Sequence, residues 1–252
     1  MSQAIESPPR IIAPEIPDDS ITTVAAPAPV PVRIPQPGDD TLFNRCAWLY
    51  VLFRDKLFRD DTDRMINALW PNGARPAAGM RMIEFGCGPG FYSCGFAARF
   101  PQMSVLGIDR APRQLDCAKR KARRLGLTNC RFENDDVLDL AHADESFDLL
   151  IAARLFTVLQ NSKRAVAEMY RVLRPGGRCL VAEPRYAAWA SLPLLAMWLV
   201  ARMTRIDNGC CEPTRAIVLP PNEFKNLFAS QPWRNVKVWQ DGRYQYALCE
   251  KI

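Results

Sequence analysis

Residues 82–93, "MIEFGCGPGFYS", decide the fold. An apolar run ends at Phe85, glycines follow at 86, 88 and 90, and an aromatic residue opens the next segment. Glycine tolerates left-handed backbone and lets another group approach the chain closely, so this is the turn from a strand into a helix. In open α/β sheets such a turn lies at the carboxyl end of a strand, where ligands bind.

The flanking chain repeats the strand–helix pattern. "MRMIEF", "SVLGID", "CRFEND", "FDLLIAA" and "RCLVAEP" are short apolar strands. "FYSCGFAARF", "APRQLDCAKRKARRLG" and "SKRAVAEMYRVL" are the helices between them, with Pro112 in a first turn, Gly126 at an end and "PGG" punctuating the last. Near the terminus, "NVKVWQ" and "RYQYALCE" alternate in polarity and flank Asp241-Gly242, which marks a hairpin. The expectation is an α/β, doubly wound, mostly parallel seven-stranded sheet of Rossmann-like type, finished by a C-terminal antiparallel hairpin.

The spacing of the loop selects its ligand. A dinucleotide pyrophosphate calls for GxGxxG, whereas this loop reads GxGxG with Pro89 inside it. Glu84 stands two residues before the first glycine, placed to accept from a cationic amine and ill suited to a phosphate. The ligand inferred is a nucleoside carrying an amino acid group. Asp109 ends the second strand, where a carboxylate takes ribose hydroxyls. Asp136, after the third strand, is positioned to accept from an adenine amino group beside the Val137 backbone N–H. Asp135 next to it leaves the assignment open by one residue. Arg154 follows the fourth strand at the same rim.

The segments "IEFGCGPG", "VLGID", "DVLDL" before "SFD", and "MYRVLRPGGRCLVAEP" span residues 82–184. In this order they resemble the class I S-adenosylmethionine-dependent methyltransferases of small-molecule type. The resemblance implies S-adenosylmethionine as cofactor, with Glu84 and the Gly86–Gly90 loop on its methionine part, Asp109 on the ribose, and Asp136 with Val137 on the adenine. Cys87, Gly88, Arg110 and Ala153 complete the implied set. The activity implied is methyl transfer to a small, hydrophobic acceptor such as a natural product, quinone or lipid-like molecule. An RNA methyltransferase and a non-catalytic S-adenosylmethionine-binding scaffold are the alternatives.

Methyl transfer is an in-line displacement for which positioning supplies much of the acceleration. The one histidine, His142, sits in the loop "LAHADES" and is expected to be exposed and far from the methyl. Tyr50, Arg154, Glu183 and Tyr186 are the polar candidates for a catalytic role, each as readily a structural group. No Asn-Pro-Pro-aromatic or Pro-Cys motif follows the fourth strand, and the basic run "KRKARRLG" reads as a solvated helix face, so a nucleic-acid acceptor is disfavoured.

"AAWASLPLLAMWLVARM", residues 187–203, follows the fifth strand. It is shorter than the roughly 20 residues a spanning helix needs, and Pro193 is expected to break it. It is read as a lid packing with a helix over 43–58, within the stretch 41–58 ("TLFNRCAWLYVLFRDKLF") that sets Leu42, Cys46, Leu49, Phe53 and Leu57 at helical spacing. Trp189, Met197 and Trp198 are offered to a bulky apolar acceptor. Peripheral membrane contact through 187–203 is a further option.

The organisation expected is a proline-rich tail over 1–38, holding nine of the 21 prolines, and a methyltransferase domain over 39–252. Within the domain, 39–79 forms a helical cap, 80–184 the cofactor-binding core, 185–221 the lid and 222–252 a helix and hairpin. The 252 residues are 48% hydrophobic with net charge +6, short of a nucleic-acid-binding excess. Nine cysteines without a CxxC pair, and no signal pattern at the N-terminus, point to free thiols in a cytoplasmic protein with no metal site. The oligomeric state is not legible.

Overall fold

A computed structural model describes residues 46–56, 60–203 and 216–252. The tail over 1–38, Leu42, Leu57 and the adjacent Cys210 and Cys211 lie outside the described residues.

Seven strands form one sheet: β1 (Arg81–Phe85), β2 (Ser104–Asp109), β3 (Cys130–Asn134), β4 (Phe147–Ala153), β5 (Leu173–Pro184), β6 (Trp233–Asp241) and β7 (Tyr244–Lys251). Their order is β3-β2-β1-β4-β5-β7-β6. β1 to β5 are parallel, and β7 runs antiparallel to both β5 and β6. β1 is central, with Ile83 beside Leu106 on one flank and Leu150 on the other. The order reverses between β1 and β4, and that switch opens a crevice at their carboxyl ends.

The helices follow their apolar faces. α1 is Ala47–Lys56, α2 Thr62–Leu69, α3 Phe91–Arg99 and α4 Pro112–Arg124. α5 is Ser162–Val172, α6 Ala187–Met203 and α7 Pro221–Phe228. Alternate strand residues serve opposite faces of the sheet. Ile83, Phe85, Leu150, Val181 and Ala247 pack toward α5 and α7, with Met169 and Phe228 among the buried partners. Met82, Leu149, Leu180 and Tyr246 pack toward α2 and α3, where Met65, Tyr92 and Phe96 are buried. On α4, Leu115, Ala118 and Ala122 are buried while Lys119, Arg120, Arg123 and Arg124 face solvent, so the basic run is the solvated side of an amphipathic helix.

Three local expectations are corrected. β5 starts at Leu173 rather than Arg178, and its pairing with β4 shifts register between Phe147 and Leu149. Gly176, at φ +74, allows "PGG" to be accommodated as an irregularity within the strand. The hairpin turn is Gly242-Arg243, since Asp241 still pairs with Tyr244. α6 continues through Pro193. That proline forfeits the bond to the Trp189 carbonyl, but Ala190, Leu194 and Met197 are buried against Cys46 and Leu49 of the neighbouring helical segment, and this packing outweighs one lost bond.

Candidate functional site

The glycine loop is built on β1 and feeds α3. Gly86, Gly88 and Gly90 all have positive φ, at 66°, 50° and 72°. At Gly90 a Cβ would lie 2.8 Å from Ala118 Cβ and 2.9 Å from the Phe132 ring, so this position admits only glycine for both conformation and space. Glu84 points beneath the loop. Its Oε2 accepts from the Ser93 N–H at 2.7 Å and from the Ser93 hydroxyl, and the residue is buried. A carboxylate at the third helical residue suits the positive end of α3 and fixes the loop above it.

Asp109 links the end of β2 to this loop. One oxygen accepts from Gly88 N–H and the other from Ala111 N–H, both at 2.8 Å. Loss of water around the carboxyl pushes its pKa up, against the lowering exerted by the N–H groups of Ala111, Gly88 and Arg110. On the next turn, Arg110 lies 3.9 Å from Asp136 Oδ2. Asp136 Oδ1 accepts from Leu138 N–H at 3.0 Å.

Asp135 turns the other way, accepting from Ala141 N–H at 3.3 Å and lying 3.9 Å from His142 Nε2. Of the adjacent acids, Asp136 therefore is the one beside the β2 rim. Val137 has its side chain in the core, leaving its backbone for any outward role. His142 is not exposed as expected. It sits 3.4 Å from Glu133 Oε2 and edge-on to Phe147, and the nearby imidazole holds the Glu133 carboxyl below the ordinary range.

The rim of β4 and β5 forms the other wall. Ala153 ends β4, and Arg154 follows in left-handed backbone at φ +59, its N–H bonded to Ala182 O at 2.9 Å. Non-glycine residues occupy this region only where surroundings enforce it. The conformation sends the guanidinium across β5 to Tyr244 Oη at 3.2 Å. Tyr50 of α1 lies close by: its Cε1 would be 3.5 Å from a Cβ at Gly88. Glu183 accepts from Phe156 N–H at 3.0 Å and is buried. Burial pushes its pKa up to about 7, against the N–H of Phe156 and the Arg154 charge. Glu183 Oε2 has no hydrogen-bond partner among the described residues, nor does Oε1 of Gln245, its direct partner on β7.

The structure thus gathers the glycines, Cys87, Asp109, Arg110, Asp136, Ala153, Arg154 and Tyr50 along one rim. It does not bring in Tyr186 or Trp189, which are about half exposed, with Arg243 stacked 4.0 Å over Trp189. Met197 is buried in the seam between α1 and α6, and Trp198 packs at its edge. Tyr244 and Ser93 were not singled out in the sequence. Ser93 carries a readable signal, a hydroxyl three residues into a helix that follows a buried acid, whereas Tyr244 carries none without knowing that β7 lies beside β5.

A seven-stranded sheet of this order, with a glycine loop after β1 and an acid ending β2, is the fold of the class I S-adenosylmethionine-dependent methyltransferases. A family model described as "Methyltransferase domain" matches residues 76–229, more than half the chain, and the chain belongs to that family. Among curated proteins it is 37% identical over 103 residues to a demethylmenaquinone methyltransferase of Deinococcus radiodurans, covering 41% of this chain and 42% of that protein. It is also 37% identical over 146 residues to a trans-aconitate 2-methyltransferase of the same organism, covering 58% and 52%. The chain thus spans about half the length of the curated relatives it matches. Among solved structures, phosphoethanolamine N-methyltransferase 2 of Haemonchus contortus in complex with S-adenosyl-L-methionine superposes with TM-score 0.62 at 11% identity, covering 84% of this chain and 58% of that one, a likeness of fold alone. Among the described residues no helix is long and apolar enough to cross a membrane, and no His/Cys/Asp/Glu group could hold a metal.

Proposed function

We propose that the protein transfers a methyl group from S-adenosylmethionine to a small acceptor that joins an ionisable oxygen to an apolar body. The observation that carries this reading is the bridge from Asp109 to Gly88, which joins the acid ending β2 to the left-handed loop after β1.

The residues present fit the cofactor. The loop offers backbone without side chains, Asp109 offers a carboxylate suited to two ribose hydroxyls, and Asp136 offers an acceptor for an exocyclic amine. The acids Glu84, Asp109 and Asp136 at this loop and rim disfavour a pyrophosphate. Glu84 supports the loop through Ser93 and sets the negative field that an ammonium group would meet. When bound, S-adenosylmethionine supplies a methyl on a sulfonium, ready for in-line attack.

The acceptor end is assigned to the rim of β4 and β5. Arg154, braced by Tyr244, supplies a positive charge that holds an acceptor oxygen in its ionised form and orients it. Tyr50 closes the site from α1 and excludes water. Met197 and Trp198, in the α1–α6 seam, would border an apolar acceptor body. The name of one curated relative supports this class, since a reduced demethylmenaquinone joins phenolic oxygens to an apolar body, whereas trans-aconitate shares only the ionised oxygens.

The test is transfer of label from methyl-labelled S-adenosylmethionine to reduced short-chain demethylmenaquinone and, separately, to trans-aconitate. Labelled product from the demethylmenaquinone supports the reading, and label on trans-aconitate alone removes the apolar body from it. Cofactor binding without transfer to either removes the acceptor assignment.

A further inference from the structure

The lid helix has two apolar sides, and among the described residues only one is covered. Ala190, Leu194 and Met197 face inward. On the opposite side Leu192, Leu195, Leu199 and Met203 follow one another at helical spacing and are 46%, 50%, 50% and 76% exposed. On α1, Trp48 and Leu52 are exposed at 62% and 50%, one turn apart. A helix apolar all round belongs in a core or against an apolar partner, and an exposed row of this length marks an interaction surface.

The charge around the row indicates the partner. No acidic residue stands between Pro184 and Met203. The cations flanking the row lie over aromatic rings: Arg185 is 5.5 Å from the Tyr186 ring, Arg243 4.0 Å from Trp189 and Arg202 5.2 Å from Trp198. Stacked guanidinium–aromatic pairs at the border of an apolar strip suit the zone where acyl chains meet headgroups, with the ring in the boundary and the cation among phosphates. A second copy related by a two-fold axis perpendicular to α6 would run the helix antiparallel to itself. Arg185 would then meet Arg202 of the other copy with no acid between them.

We propose that the outer face of α6 docks on an anionic lipid surface, lying in the plane of the interface. Leu192, Leu195, Leu199 and Met203 enter the acyl boundary while Arg185, Arg202 and Arg243 meet headgroup phosphates. The helix has 17 residues and lies on the surface rather than spanning it. The docking surface stands whatever the acceptor's chemistry, because its test reads lipid binding rather than turnover.

The experiment is co-sedimentation of the full chain with vesicles of phosphatidylcholine alone, and of equal parts phosphatidylcholine and phosphatidylserine. The wild type should sediment with the mixed vesicles, less with phosphatidylcholine alone, and less as salt is raised. Leu195→Asp with Leu199→Asp should cut the bound fraction on mixed vesicles by roughly tenfold or more, leaving the melting temperature and S-adenosylhomocysteine affinity unchanged. Arg202→Glu should weaken binding to mixed vesicles and not to neutral ones. Wild-type protein that stays in the supernatant with both vesicle types overturns the proposal, as does a folded double variant that binds like wild type. A monomer–dimer equilibrium abolished by the double variant would give the face to a second copy instead.

Discussion

Asp109 holds Gly88: its Oδ2 accepts from the Gly88 backbone N–H at 2.8 Å across 21 residues of chain. The same side chain caps the next turn through Ala111. One carboxylate therefore fixes both walls of the proposed nucleoside site.

Replacing it should affect affinity more than fold. Asp109→Ala is expected to weaken S-adenosylhomocysteine binding by about 1.5–3 kcal/mol, the range for hydrogen bonds to a charged group. Circular dichroism should remain native, because Asp109 sits at a strand end outside both main cores. A folded variant with the wild-type dissociation constant would take Asp109 out of the site.

Gly90 tests the loop itself. Gly90→Ala adds a Cβ at left-handed φ +72 and drives it to 2.8 Å from Ala118. The expected loss is about 2–4 kcal/mol of stability, read by urea denaturation, together with loss of cofactor binding. Gly126→Ala, with nothing within 4 Å, should cost only the conformational part.

Glu183 makes stability depend on pH. Its pKa is about 7 in the fold against an ordinary 4.5, so between those values the native state holds more protons than the unfolded chain. Stability should fall as pH rises from 4.5 toward 7 and level off above. Glu183→Gln should flatten this slope, keep the bond from Phe156, and offer an amide donor to Gln245 Oε1. Above pH 7 the variant should be the more stable by about 3 kcal/mol at most. Parallel stability–pH curves for the two proteins would show that Glu183 does not titrate there.

Arg154 separates chemistry from stability. Glycine relieves the strain at φ +59 while the Tyr244 bond is lost, so Arg154→Gly should fold with stability within about 1 kcal/mol of wild type. It should lower kcat/KM for the acceptor by roughly 10- to 100-fold, the loss of a charge-assisted contact, while S-adenosylhomocysteine affinity holds. Unchanged kcat/KM would make Arg154 a structural bridge to Tyr244 only.

Much of this was legible because local chemistry repeats. The strand–glycine–helix turn at 81–99, the acid at 109 and the hairpin each announce themselves within a few residues. What was hidden depends on tertiary placement. Arg154 and Tyr244 are 90 residues apart and meet only because β7 lies between β5 and β6. Asp135 and Asp136 diverge through a turn in which one side chain returns to Ala141 and the other faces Arg110, which no local pattern announces. The burial of Glu183 depends on the turn at 155–157, and Pro193 is tolerated because α6 packs against the segment containing Cys46 and Leu49.

The central claim is that the loop from Gly86 to Gly90, with Asp109, holds S-adenosylmethionine. Isothermal titration of the full chain with S-adenosylhomocysteine and with NAD tests it most directly. Saturable binding of S-adenosylhomocysteine near one per chain, and no heat with NAD, is the expected result. Saturable binding of NAD with none of S-adenosylhomocysteine would contradict it.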